Sequence, residues 1–365
     1  MTRNPAEAPS ASDWTEPGAH AVAPGVFRIP LPLPHDSLRA VNAYAIVAGS
    51  EVALIDSGWA LAESEALLER ALGQLGHDLG AVTGFYVTHA HRDHYTQAVA
   101  VRRRLGTRVA LGVHEQPSLR QLRGPYLSSQ AQLELLVSAG AGNLAARIEA
   151  DPSRQPVDDG NWADPDDWLA DQQAIQLPGR TLTVIHTPGH TRGHIIFADL
   201  TAGLAFTGDH VLPHITPSIG FESAPTGRPL HDFLTSLELV KSLPDARMLP
   251  AHGPVGASVH HRVEQLLAHH EDRLSACSQA IEAGAHTGFE VAVRLPWTRR
   301  RRRLSELDSH NQLLAVLETV AHLDVLVTRG VLTATADPGG TTSYGCTGGA
   351  TACAGKMRRT IDVED

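Results

Sequence analysis

Val82-Thr83-Gly84-Phe85-Tyr86-Val87-Thr88-His89-Ala90-His91-Arg92-Asp93-His94 is the stretch that decides how this chain reads. Its first six residues, rich in β-branched and aromatic side chains, read as a short buried strand. The last six positions carry three imidazoles and one carboxylate, all able to bind a metal ion. A strand that ends in such a cluster holds the imidazoles on a rigid base, where their spacing is fixed. His89 and His91 sit two apart and can point the same way from an extended loop. Asp93 and His94 then turn towards a second point. The competing reading is a surface cluster in a chain that has 21 histidines.

Further segments repeat the pattern of apolar run, turn signal and potential ligand. Leu182-Thr183-Val184-Ile185 leads to Thr187-Pro188-Gly189-His190-Thr191-Arg192-Gly193-His194. Leu204-Ala205 leads to Phe206-Thr207-Gly208-Asp209-His210, and Leu249-Pro250-Ala251-His252-Gly253-Pro254 closes the set. With Leu54-Ile55-Asp56-Ser57-Gly58 upstream, five ordered motifs over residues 25–257 resemble the metallo-β-lactamase superfamily, in its glyoxalase-II-like branch. The combination is specific for fold and metal site and says little about substrate.

The resemblance implies an α/β fold, an αββα sandwich. It places His89, His91 and His190 on a first metal and Asp93, His94 and His252 on a second, with Asp209 bridging. Such a nitrogen-and-oxygen set suits zinc and tolerates iron, manganese or cobalt. The diiron flavoprotein branch carries a carboxylate where this chain has His91, so two zinc ions per chain are expected. Two such cations share one water, lower its pKa to about 7 and polarise the substrate oxygen. No Gly-x-Ser-x-Gly elbow and no Cys–His nucleophile pair competes with water as the nucleophile. Asp93 is expected to orient the hydroxide. Asp56 reads either as a residue that orients the ligand loop or as a turn cap before Gly58. His194 reads as a buried supporting histidine, and His210 and His214 as pocket-lining, core or surface residues.

Length and composition bound the rest. A chain of 365 residues with 42% apolar content fills a sandwich with additions and needs no disulfide staple. Three cysteines, Cys277, Cys346 and Cys353, lie away from the histidine motifs, which argues against a thiolate site and for a reducing compartment. No signal peptide and no membrane-length apolar run is legible, so a cytoplasmic protein is expected. The net charge of −10 stands against nucleic-acid binding.

Residues 1–24 read as a mobile arm and 25–257 as the catalytic domain. Within it, 115–171 form a lid-like insertion, with Tyr126, Trp162 and Trp168 as candidate walls for an acyl or aromatic small-molecule substrate. Residues 258–336 have helical periodicity and resemble the winged-helix-like appendage of one branch, and 337–365 read as a disordered tail. Two amphipathic faces in the appendage suggest a dimer. The run Arg299–Arg303 reads as a solvated segment, because consecutive helical residues face all directions.

The function expected is hydrolysis of an activated carbonyl (thioester, ester or lactone) by a metal-bridging hydroxide. The same chemistry would serve an RNA endonuclease or a hydrolase of an activated ether. The histidine motifs are also those of a mononuclear iron persulfide dioxygenase. A non-catalytic binding protein is disfavoured by the complete ligand set.

Overall fold

Two sheets stack face to face because their strands are apolar on both sides, as strands covered by helices must be. The computed structural model describes residues 13–34, 38–123, 127–151, 160–177, 179–222 and 227–348. The first sheet begins β1 (His20–Ala23), β2 (Val26–Pro32), β3 (Ala40–Ala48) and β4 (Glu51–Ile55). After α1 (Ala62–Gln74) come β5 (Val82–Val87), α2 (Arg92–Leu105) and β6 (Arg108–Gly112). Helices α3 (Gln116–Leu122), α4 (Leu127–Ser138) and α5 (Gly142–Glu149) intervene before the edge strand β7 (Asp167–Leu169). The strand order is simply β1 to β7, antiparallel as far as β4 and parallel from β4 onward.

The second sheet has β8 (Ala174–Leu177), β9 (Arg180–His186), β10 (Ile195–Asp199) and β11 (Leu204–Gly208). After α6 (Pro229–Ser242) it is completed by β12 (Arg247–Pro250), which lies parallel to β11. The C-terminal part is α7 (Val259–Glu282), α8 (Gly288–Arg294), α9 (Ser309–Thr328) and the hairpin β13 (Leu332–Ala336)–β14 (Thr342–Cys346).

Three apolar clusters mark the layers. Leu68, Leu72, Tyr95 and Val99 of α1 and α2 pack on the outer face of the first sheet. Between the sheets lie Tyr44, Phe197, Phe206 and Leu249, with Tyr44 edge-on to Phe206 at 5.4 Å. The outer face of the second sheet, through Ile185 and Ile196, meets Phe233 and Leu237 of α6 and then α7 and α9. This is an αββα sandwich with a helical C-terminal region.

Four expectations change. The arm expected over 1–24 contains β1, which pairs with β2, and Arg28 reaches back to the Trp14 carbonyl. The tail expected from 337 contains β14, whose Tyr344 is buried in the same core as α7 and α9. Its Thr342–Tyr344–Cys346 alternation is too short to stand out in a Gly/Thr-rich stretch. Residues 349–365 lie outside those described. Cys346 is disulfide-bonded and Cys277 is free and buried, where the cysteine count suggested no bridge.

The insertion 115–171 is anchored on the C-terminal region. α4 and α5 pack against α9, and Gln132 donates to the Phe221 carbonyl. Trp162 is buried and stacks on Tyr95, and Trp168, half-buried in β7, packs against the same cluster on the first sheet. Tyr126 lies outside the described residues. Among the described residues no helix is long and apolar enough to cross a membrane.

Candidate metal centre

Every ligand candidate sits in a loop that follows a strand or, for Asp93 and His94, in the first turn of the helix after it. β5 runs out at Val87, and α2 begins at Arg92 with His91 as its N-cap. Asp93 and His94 therefore occupy the first helical turn, with the His94 ring 4.0 Å from that of His89. Asp209 follows β11, and His252 follows β12. Gly208 has φ +49°, and a Cβ there would lie 2.6 Å from His194 Nε2 and 2.9 Å from Thr88. Only glycine brings Asp209 this close to the histidine loop.

The seven residues gather into two groups, His89, His91, His190 and Asp209, and Asp93, His94 and His252. In the first, His91 Nδ1 lies 2.9 Å from His89 Nε2 and 3.1 Å from His190 Nε2. In the second, Asp93 Oδ2 lies 3.5 Å from His94 Nε2 and 3.4 Å from His252 Nε2. Asp209 faces both: Oδ2 is 3.4 Å from His190 Nε2, and Oδ1 is 3.3 Å from His252 Nε2 and 3.7 Å from His94 Nε2. Donors about 3.3 Å apart are what a tetrahedral ion with bonds of about 2.0 Å requires. The buried atoms His94 Nε2, His252 Nε2 and Asp209 Oδ1 have no hydrogen-bond partner. Buried polar atoms are rarely left so, and three converging ones fit a cation.

The tautomers follow from the partners. His94 Nδ1 donates to Asp56 Oδ2 (2.9 Å), His190 Nδ1 to the Ser218 carbonyl (2.9 Å) and His252 Nδ1 to the Ala40 carbonyl (2.8 Å). Each is left with a lone pair on Nε2, aimed at the centre. The Thr88 hydroxyl donates to Asp56 and accepts from His89 Nδ1 at 3.0 Å. Asp56 thus orients one histidine of each group, and it also accepts from the Thr88 amide at 2.8 Å. Its own φ is +57°, an uncommon conformation for a non-glycine residue. Asp56→Ala should lower metal affinity or activity about 10–100-fold, as loss of an orienting partner does. Metal titration of the variant checks this, and wild-type affinity would reduce Asp56 to a turn residue.

The electrostatics separate the two groups. Burial, then the neighbouring imidazoles, hold His89 well below its ordinary pKa, and burial and His190 bring His91 down to about 3. Burial opposes charge on His94 too, yet Asp93, Asp56 and Asp209 raise it to about 10. Burial works against an ionised Asp209, but His252 and His94 hold it well below the usual carboxylate range. A field that draws a proton onto a buried imidazole also attracts a metal cation.

Around this centre, His194 is fully buried. Its Nδ1 meets the Thr187 hydroxyl at 2.8 Å, and its Nε2 accepts the Asp209 amide at 3.1 Å. His210 is buried against Phe233, and burial brings it down to about 3. His214 is exposed. The sequence reading missed Glu115, which is buried and accepts from the Ala90 amide and the Thr191 hydroxyl. One carboxylate therefore ties the His89–His91 loop to the residue after His190. Gly193 permits that approach, because a Cβ there would lie 2.2 Å from the Glu115 amide nitrogen. Burial, then the charge of Glu115, raise the neighbouring Glu222 to about 8. Neither glutamate lies in a motif, so only the folded chain reveals the pair.

His91 and Asp93 are only half-buried, which marks the open side of the centre. Arg92, exposed between them, lies over the Trp59 ring at 4.9 Å. Trp59 therefore lies beside this opening.

Fold and centre together define a metallo-β-lactamase-type protein. The profile of the metallo-beta-lactamase superfamily matches residues 36–252, and the chain belongs to that superfamily. A metallo-beta-lactamase family protein of Thermus thermophilus superposes with a TM-score of 0.73 at 27% identity, covering 90% of this chain and 100% of that one. A beta-lactamase domain protein of Burkholderia ambifaria gives 0.74 at 26% identity, over 93% and 96%. Among curated relatives, a lactamase-like protein of Pestalotiopsis fici is 26% identical over 69% of this chain and 63% of its own length. An atrochrysone carboxyl ACP thioesterase of Paecilomyces divaricatus is 24% identical over 67% and 60%. The chain thus matches less than two thirds of these relatives' length.

Proposed function

We propose that this protein is a binuclear zinc hydrolase acting on an activated carbonyl, with an acyl thioester as the first candidate and esters and lactones next. The observation that carries the reading is the placement of Asp209, whose two oxygens face two separate groups of ligand-type side chains. A pair of divalent cations held there would supply an activated water and polarise the carbonyl oxygen. The chain's own residues set the geometry. Asp56 and Thr88 fix the ring orientations of His89 and His94, and the Ser218 and Ala40 carbonyls fix those of His190 and His252. Asp93, half-buried at the open side beside His94 and His252, would accept a hydrogen bond from the attacking water and pass a proton towards the leaving group. The similarity to a carrier-protein thioesterase puts thioesters ahead of the other carbonyl substrates.

The test is a panel of acyl thioesters, lactones and aryl esters run beside single-stranded RNA, with and without chelator. Thioester cleavage that chelation abolishes and zinc restores is the expected result. Cleavage of RNA alone, weakened by salt as phosphate contacts are, would overturn the carbonyl reading. A single iron per chain with oxygen uptake on a persulfide would place the protein among dioxygenases.

A further inference from the structure

A cavity of about 740 Å³ lies in the C-terminal region, between α5, α8, the loop 295–305 and the start of α9. Arg147, Arg294, Arg301, Arg302 and Arg303 line it, and its described lining contains no acidic residue. The arginine run does not behave as a helix would. Thr298 and Arg301 have φ of +61° and +54°, and Trp297 and Arg302 form a bridge that closes a turn. Three consecutive arginines therefore reach the wall of one cavity, which the helical reading excluded.

Among the described residues their charges meet no carboxylate partner. Arg102, Arg104, Arg108, Arg123, Arg180 and Arg329 each pair with a carboxylate. Among the described residues none of the five cavity arginines does. Arg147 donates to Gln312 Oε1 at 2.6 Å, and Arg294 to the carbonyls of Ala280 and Ala283. These neutral acceptors hold the guanidinium groups in place without cancelling charge. Glu306, the nearby acid, accepts the Arg303 amide at 2.6 Å. In a chain of net charge −10, five arginines on one cavity wall, two of them held by hydrogen bonds, call for an anion of more than one charge. Arginine forks suit phosphate oxygens. Leu144, Phe289, Leu295 and Leu304 give the wall an apolar part, beside the neutral polar Asn143, Ser305 and Gln312. The volume is that of a small-molecule site, where an extended polynucleotide would need an open track.

We propose that this cavity binds an organic phosphate with an apolar body, its phosphate oxygens on the arginines and its body on the apolar wall. The site is separate from the metal centre in residues and chemistry, and it stands whatever bond the centre cleaves. The Arg301–Arg303 loop also touches the other region, since Arg299 donates to the carbonyl of His214, five residues beyond Asp209.

Isothermal titration of the full-length protein with geranyl diphosphate tests this, with inorganic pyrophosphate and geraniol as the separate halves. Saturable binding of geranyl diphosphate, tighter than either half alone, is expected. The exposed double variant Arg302→Gln/Arg303→Gln should weaken it about tenfold or more, as loss of two charge-assisted contacts implies. Arg147→Lys, which keeps the charge and loses the fork, should weaken it less. Asp209→Ala should bind as the wild type does. No binding, equal binding by the double variant, or loss of binding in Asp209→Ala would overturn the proposal. So would single-stranded RNA that binds more tightly and displaces the diphosphate.

Discussion

Asp209→Ala should lower metal occupancy and nearly abolish turnover while leaving the sandwich folded. Its carboxylate faces His190 through one oxygen and His94 and His252 through the other, so one truncation strips a ligand from both groups. Activity on the best substrate should fall about 10³-fold or more, at least what losing one preorganised electrostatic contact brings. Wild-type protein should carry two zinc per chain by elemental analysis, and the variant fewer than one. The fold should survive because the local anchor is the Asp209 amide, bonded to His194 Nε2, and alanine keeps that amide. Circular dichroism and gel filtration separate the outcomes. A folded variant with both metals and full activity would overturn the ligand assignment.

Truncation after Ala257 should give an aggregated, inactive product, the second large effect. Leu230, Phe233, Leu237 and Val240 of α6 are all buried in a cluster completed by α7 and α9. Exposing four such side chains costs about 1.5–3 kcal/mol each, comparable to the whole ~5–15 kcal/mol that holds a domain folded. The centre would suffer as well. Arg262 of α7 donates to the carbonyls of Leu212 and Ile215, and Gly220 packs against Leu317 of α9. These contacts hold the segment whose Ser218 carbonyl orients His190. A soluble, fully active protein ending at 257 would show that the helical region is dispensable. Truncation after Pro338, which a reading of 337–365 as a tail makes harmless, should instead destabilise the chain. It removes β14 and the buried Tyr344, whose amide donates to the His286 carbonyl at 2.7 Å.

Much of this was legible in one dimension because a metal site on strand ends is built from local signals. Apolar runs of strand length, each broken by glycine or proline next to a histidine or aspartate, can be read without knowing what packs where. The layer order follows, since strands apolar on both faces require cover on both faces. His194 was readable as a supporting residue from its position four after His190, and the structure seats it under the Asp209 amide.

Residues that act through distant partners were not legible. Glu115 and Glu222 lie in no motif, and the contacts that matter run from Glu115 to Thr191 and from Glu222 to Ser118, 76 and 104 residues away. Aromatic residues were misplaced for the same reason: Trp162 meets Tyr95 across 67 positions of chain, so neither neighbourhood reveals it as core. The direction of the arginine run is not legible in sequence either, because two left-handed residues and a bridge set it.

By itself, then, the sequence determined the family, the sandwich and the seven side chains that could bind metal, because ligand type and strand-end spacing are local properties of the chain. Only the tertiary structure decided which oxygen of Asp209 faces which group, and which carbonyls and carboxylates orient the imidazoles. It also decided that five arginines share one cavity. These are distances between segments far apart in sequence, fixed by packing between layers, and no local pattern encodes them.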